Sequence, residues 1–170
     1  MREGVVMSYT VKSSEKTRKS GAETETKALL YLMNLRKDSD EINIFDLAGT
    51  LDQKYSDLLI YSDFIIIPFE YSDVSVKSTL VFKNLLGLLE SEAERIFIRS
   101  KFDKGYKYLN QQEMDEEISK YGILIESAVF KRNCLQTINT RKLTYEQKYA
   151  VKKPFDQIIK EINETIQITI

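Results

Sequence analysis

The sequence predicts an α/β protein whose mostly parallel sheet is covered by helices on both faces. Two observations carry that expectation. First, Ile42 to Phe45 and Phe64 to Ile67 are unbroken apolar runs, the form taken by strands buried on both sides. Second, apolar residues return at helical spacing after each run. Leu51, Tyr55, Leu58 and Leu59 follow the first; Leu80, Phe82, Leu85, Leu86, Leu88 and Leu89 follow the second. Alternating strand and helix is how a parallel sheet is written. Asp46 closes the first run just before Gly49, at the carboxyl end of a strand, where open α/β sheets bind ligands.

Composition narrows the function classes. At 170 residues the chain suits a single domain, residues 1–170, with a sizeable core. Its 42% hydrophobic and 30% charged content is that of a globular protein. A net charge of -1 argues against wholesale coating of nucleic acid and leaves room for a local basic patch. The one cysteine, Cys134, excludes an internal disulfide framework and suits a reducing, cytoplasmic setting. The absence of histidine removes the usual general base. No apolar stretch approaches the ~20 residues of a membrane span.

Taken in order, Val5 to Val11 has strand-like content, Lys12 to Ser20 is a polar loop, and Ala22 to Arg36 reads as a helix. The second apolar run is expected to stop at Pro68. Arg95 to Arg99 is a short strand, and Phe102 to Tyr108 is a loop around Gly105. Asn110 with Glu113 fits a capped helix start, with Gly122 as its stop. Ile123 to Ile125 makes another strand, and Val129 to Leu143 is irregular and basic. Thr144 with Gln147 repeats the capping pattern for a last helix with Tyr149, Phe155, Ile158, Ile159 and Ile162 on its apolar face. Pro154 is expected to kink that helix or to start its second half.

Asp46 is the leading site candidate. An acid held at a strand end can order the water shell of a magnesium ion on nucleotide phosphates, and Gly49 lets the chain pass close to a phosphate. The alternative for the same residues is a helix cap and a simple turn. Asp63, Glu70 and Asp73 flank the second run, as helix caps or as acid–base groups. Lys101 and Asp103 follow the third, as surface loop or base-reading groups. Phe102, Tyr106 and Tyr108 either stack on a base or pack their loop. Lys131, Arg132, Arg141 and Lys142 form either a solvated edge or a contact to nucleic-acid phosphates. Cys134 lacks a histidine partner for nucleophilic catalysis. The six glycines are isolated, and no G-x-x-x-x-G-K-[ST] phosphate loop can be built from them.

The run from Asn43 to Phe82, NIFDLAGTLDQKYSDLLIYSDFIIIPFEYSDVSVKSTLVF, resembles the middle of a ParA/MinD-type ATPase, closest to the ParA-like proteins of conjugative transposons and plasmids. Asp46 falls on that family's Walker B aspartate, and Ser62-Asp63-Phe64-Ile65-Ile66-Ile67-Pro68 on its second strand pattern. The likeness extends more weakly to about Asn163. Ala48 departs from a common proline, and Ser100 stands near a position where asparagine often reads adenine. The family's first strand, two-lysine phosphate loop and first helix have no counterpart. The resemblance therefore implies a three-layer, truncated P-loop NTPase-like sandwich, from a fragment, a split gene product or a degenerate relative.

It also implies ATP and magnesium as cofactors of intact relatives, with Asp46 reaching the metal through water only if a phosphate loop is supplied. Implied partners are a second copy of the chain, nonspecific DNA, and a partition or conjugation protein. The function so implied is a partition or conjugative-element ATPase homologue, inactive alone. The alternative is a non-catalytic DNA- or protein-binding scaffold module of a mobile element.

Overall fold

A computed structural model gives the fold for residues 44–47, 55–138 and 142–169. In chain order the elements are α1 (Ser56–Tyr61), β1 (Phe64–Phe69), α2 (Asp73–Leu88), β2 (Glu94–Phe102), α3 (Gln111–Ser119), β3 (Ile123–Phe130), a 3-10 turn (Asn133–Leu135) and α4 (Tyr145–Thr169). The strands expected over 5–11 and at residues 42–43, the helix over 22–36, and Leu51 lie outside the described residues.

Among the described residues the sheet has three strands in the order β1-β2-β3, and both pairings are parallel. Alternation along each strand sorts its side chains to two faces. Ile65, Ile67, Phe69 and Phe97 join Val76, Leu86 and Ile118 in one core, so α2 and α3 lie on that face. Ile96, Ile98 and Ile125 join Ile158 and Ile162 in the other, so α4 covers the opposite face. The result is the three-layer, parallel α/β arrangement expected. Ile65, Leu86, Ile96 and Ile118 are at most 1% exposed, and each such side chain contributes roughly 1.5–3 kcal/mol by leaving water.

Several boundaries differ from expectation. Ile44–Leu47 are neither helical nor part of the three-stranded sheet. Ile44 and Asp46 are exposed, while Leu47 packs on the first core. Along the described part of this segment, exposed Ile44 and Asp46 alternate with half-buried Phe45 and Leu47. β1 is not stopped by Pro68 but continues through it, with Pro68 in register with Ile98. A missing N–H is tolerated because β1 has one neighbour among the described residues. β2 and β3 run to Phe102 and Phe130, beyond the expected ends. The added residues include the polar or charged Ser100, Lys101, Glu126 and Ser127.

Asn110 precedes α3 but makes no side-chain cap. Thr144 and Gln147 do form the reciprocal box: Thr144 N–H donates to Gln147 Oε1 at 2.9 Å and Gln147 N–H to Thr144 Oγ1 at 3.2 Å. Gly122 acts through packing. A Cβ there would meet Arg95 O at 2.3 Å, so only glycine lets the chain enter β3 this close to β2.

α4 begins at Tyr145 and runs through a buried Pro154, which therefore does not restart it. Its core face is the row Ala150, Pro154, Ile158 and Ile162. Tyr149, Phe155 and Ile159 are instead 65%, 49% and 41% exposed. Spacing alone permitted either row. The close approach of a small residue at Ala150 to the sheet selects this one.

Candidate functional site

Parallel strands deliver their carboxyl ends to one edge of the sheet. Here that edge carries Glu70 and Tyr71 after β1, Lys101 to Asp103 at the end of β2, and Lys131 and Arg132 after β3. Below it, Arg99 ties the three strand regions to α3. Its Nε donates to Tyr71 Oη at 2.6 Å and to Asp115 Oδ1 at 3.3 Å. Its Nη2 donates to Asp115 Oδ2 at 2.8 Å, and Nη1 to the carbonyls of Ile125 (2.7 Å) and Glu126 (3.3 Å). Tyr71 Oη donates in turn to Asp115 Oδ1 at 2.6 Å.

Electrostatics follow from that geometry. Burial pushes the Tyr71 phenol well above its ordinary range, and its hydrogen bond to Asp115 pushes it further, against the opposing field of Arg99. For Arg99, burial opposes the charge, but the Asp115 carboxylate more than offsets this and holds the guanidinium charged. Every donor face of Arg99 is used inside the chain. The network braces the sheet edge and offers no free base or nucleophile.

Around it the rings pack on one another. Phe102 stacks on Tyr108 at 5.3 Å, and Tyr71 and Tyr106 each lie 4.9 Å from Tyr108. Of the two readings of the 102–108 loop, this is the packing one. Asp103 Oδ1 accepts from Gly105 N–H at 2.9 Å, closing a tight turn. Lys101 pairs with Glu70 and has φ 51, a left-handed conformation that strains a non-glycine residue.

The other sequence candidates are dispersed. Asp46 is exposed on the segment outside the sheet, and Gly49 lies outside the described residues. Asp63 sits at the amino end of β1, away from the ligand edge, with its carbonyl accepting from Glu94 N–H at 2.9 Å. Asp73 opens α2, where Ser72 rather than an acid caps the helix, accepting from Ser75 N–H at 3.2 Å. Cys134 is partly buried in the 3-10 turn, and its carbonyl accepts from Gln147 Nε2 at 2.7 Å. Ser100 is half-buried within β2.

The described residues contain no group of three or more His, Cys, Asp or Glu able to hold a metal ion. No helix among the described residues is long and apolar enough to cross a membrane.

Of the basic candidates, Lys131, Arg132 and Lys142 are exposed, and Arg141 lies outside the described residues. Arg132 faces a cavity of about 580 Å³ between β3 and α4, with Lys104, Lys152 and Lys153. The sequence reading missed those three lysines. Lys152 and Lys153 form an adjacent pair on a helix, visible in the sequence, but their approach to Arg132 depends on how α4 crosses the sheet. The Tyr71–Arg99–Asp115 network was missed too, because its members are 16 to 44 residues apart. A second cavity, about 800 Å³, lies between α3 and β3, and its wall includes the already bonded Arg99 and Asp115. Neither protein-family models, nor curated proteins, nor solved structures gave a match for the chain.

Proposed function

We propose that this chain is a ParA/MinD-like partition or conjugative-element ATPase homologue that does not work as an ATPase by itself. The observation that carries the reading is the parallel order β1-β2-β3, with α2 and α3 on one face and α4 on the other. That layering suits a P-loop NTPase-like sandwich, and β1 with the first half of α2 lies on the stretch whose residues resemble the family. The 170 residues hold no phosphate loop, so ATP and magnesium belong to intact relatives, with Asp46 as the water-mediated magnesium ligand there.

The test is titration of the full chain with a fluorescent ATP analogue and magnesium. The expected result is no saturable binding. Saturable binding that disappears in Asp46→Ala overturns the statement that the chain is inactive alone.

A second reading, a non-catalytic scaffold module of a mobile element, is favoured by the edge network. Tyr71, Arg99 and Asp115 use their polar groups on one another, as a rigid support does. Salt-sensitive retention of duplex DNA, lost when Lys131, Arg132, Arg141 and Lys142 are changed together, favours a DNA-positioning role. Retention that is unchanged in that variant speaks against it.

A further inference from the structure

We infer that the cavity between β3 and α4 is a binding site for a small phosphate monoester with an apolar body. This inference does not rest on the ATPase-like reading, although Arg132 also belongs to the basic group considered for DNA. Five cations line the cavity: Lys104, Arg132, Lys152, Lys153 and the Asp115-bonded Arg99. Lys152 is paired with Asp156, and Lys104 lies over the Phe130 ring at 4.4 Å. Arg132 and Lys153 have no ion pair among the described residues. Glu126 and Asp156 are the acids on the same walls; with Arg99 already neutralised by Asp115, the other four cations outnumber them by two.

Ser127 is among the residues of the inner wall. Ser127 is 7% exposed, and its Oγ has no hydrogen-bond partner among the described residues. A buried polar group of that kind costs stability unless something satisfies it. Ser127 lies on β3 with the parity of Ile125 and Val129, the side facing α4. Its backbone N–H is held by Gln157 Oε1 at 2.8 Å, which fixes the strand against the helix. Phe102 and Phe130 supply apolar wall beside the cations, their rings 5.7 Å apart.

The chemistry follows from these parts. A phosphate monoester presents three acceptor oxygens and close to two negative charges at neutral pH. A planar guanidinium fork and an ammonium match such a group. Shape selects a small ligand over a nucleic-acid strand. About 580 Å³ falls within the range of small-molecule sites. Glu126 and Asp156 at the walls, with a net charge of -1 on the whole chain, repel an extended polyanion more than a single phosphate.

The experiment is an amide NMR titration of the full chain with phenyl phosphate, in parallel with inorganic phosphate and a short DNA duplex. Phenyl phosphate is expected to bind saturably, with shifts centred on 126–132 and 149–156. Inorganic phosphate is expected to shift the same amides more weakly. Arg132→Ala with Lys153→Ala should weaken phenyl phosphate at least about tenfold, as loss of charge-assisted bonds does. Lys77→Ala on α2 should leave it unchanged. Arg132 and Lys153 are exposed, so their replacement keeps the fold, and the unshifted amides verify this. No saturable shift up to roughly 10 mM, an affinity too weak for a built site, overturns the inference. So do shifts indifferent to the Arg132 and Lys153 changes. Tighter binding of the duplex, at the same amides and with a steep salt dependence, reassigns the surface to nucleic acid and overturns it too.

Discussion

Replacing Asp115 with alanine tests whether the carboxyl edge of the sheet is held by one charged network. The substitution removes the acceptor of Arg99 Nη2 (2.8 Å) and of Tyr71 Oη (2.6 Å), together with a longer contact to Arg99 Nε at 3.3 Å. The Arg99 and Asp115 side chains are 14% and 20% exposed. Breaking a fully buried pair costs about 3–5 kcal/mol, because the surviving charge is stranded. Two features lower that figure here. Residual water reaches both groups, and Arg99 keeps its bonds to Ile125 O at 2.7 Å and Tyr71 Oη at 2.6 Å. The expected loss is therefore about 2–3 kcal/mol, a large share of the ~5–15 kcal/mol of a typical domain.

Urea unfolding followed by circular dichroism reads this as a midpoint drop of roughly 1 M at unchanged slope. In an Arg99→Met background no charge is stranded, so Asp115→Leu should cost much less than Asp115→Ala does in the parent chain. Equal costs in the two backgrounds, or a parent loss below about 0.5 kcal/mol, would refute the network's role.

Three further outcomes follow from the geometry. Gly122→Ala drives a Cβ to 2.3 Å from Arg95 O, and the backbone shift needed should lower stability by about 1–3 kcal/mol in the same urea assay. Glu90→Gly should raise it by roughly 1 kcal/mol. Glu90 has φ 53 just past α2, where Ser91 N–H bonds to Leu86 O and Glu90 N–H to Gly87 O, the left-handed helix ending that glycine favours. Tyr71 concerns pH: its phenol is held above the ordinary value of 10.0. Its contribution is fully present below pH 10.0 and is lost as pH rises through the folded value. The stability gap between the parent chain and Tyr71→Phe, measured by urea midpoints from pH 8 to 11, should therefore narrow at the alkaline end.

How much of this was legible depends on whether the signal is local. Phe64 to Ile67 announced a strand buried on both faces, and its alternate residues do feed two separate cores. The Thr144–Gln147 box was readable because capping is decided within four residues. Asn110–Glu113 has the same pattern and fails. Asn110 has φ -109 and ψ 23 rather than the extended backbone a capping side chain needs. Of the Ile42–Phe45 run, the described Ile44 and Phe45 are not in the three-stranded sheet and Ile44 is exposed, because apolar content does not say how many sides of a segment are covered. Nothing local marks Arg99 as the brace of the edge. Its partners come from the end of β1, from α3 and from β3, and only the finished sheet brings them together.

The position of the basic cavity follows from the same edge. β2 leaves register with β3 between Arg99 and Phe102, and Lys101 takes up the irregularity in a left-handed conformation. That strain costs about 1–2 kcal/mol, and the pairing of Lys101 with Glu70 accompanies it. The bulge is followed by Phe102, whose ring meets Tyr71, Tyr108 and Phe130. Aromatic packing thus occupies the strand ends where an open α/β sheet usually receives its ligand. The open volume lies to the side, between β3 and α4, where Phe102 and Phe130 serve as its wall. An edge filled by its own rings and braced by Arg99 is suited to support, and the chemistry available to a ligand moves to the lysine-rich first half of α4.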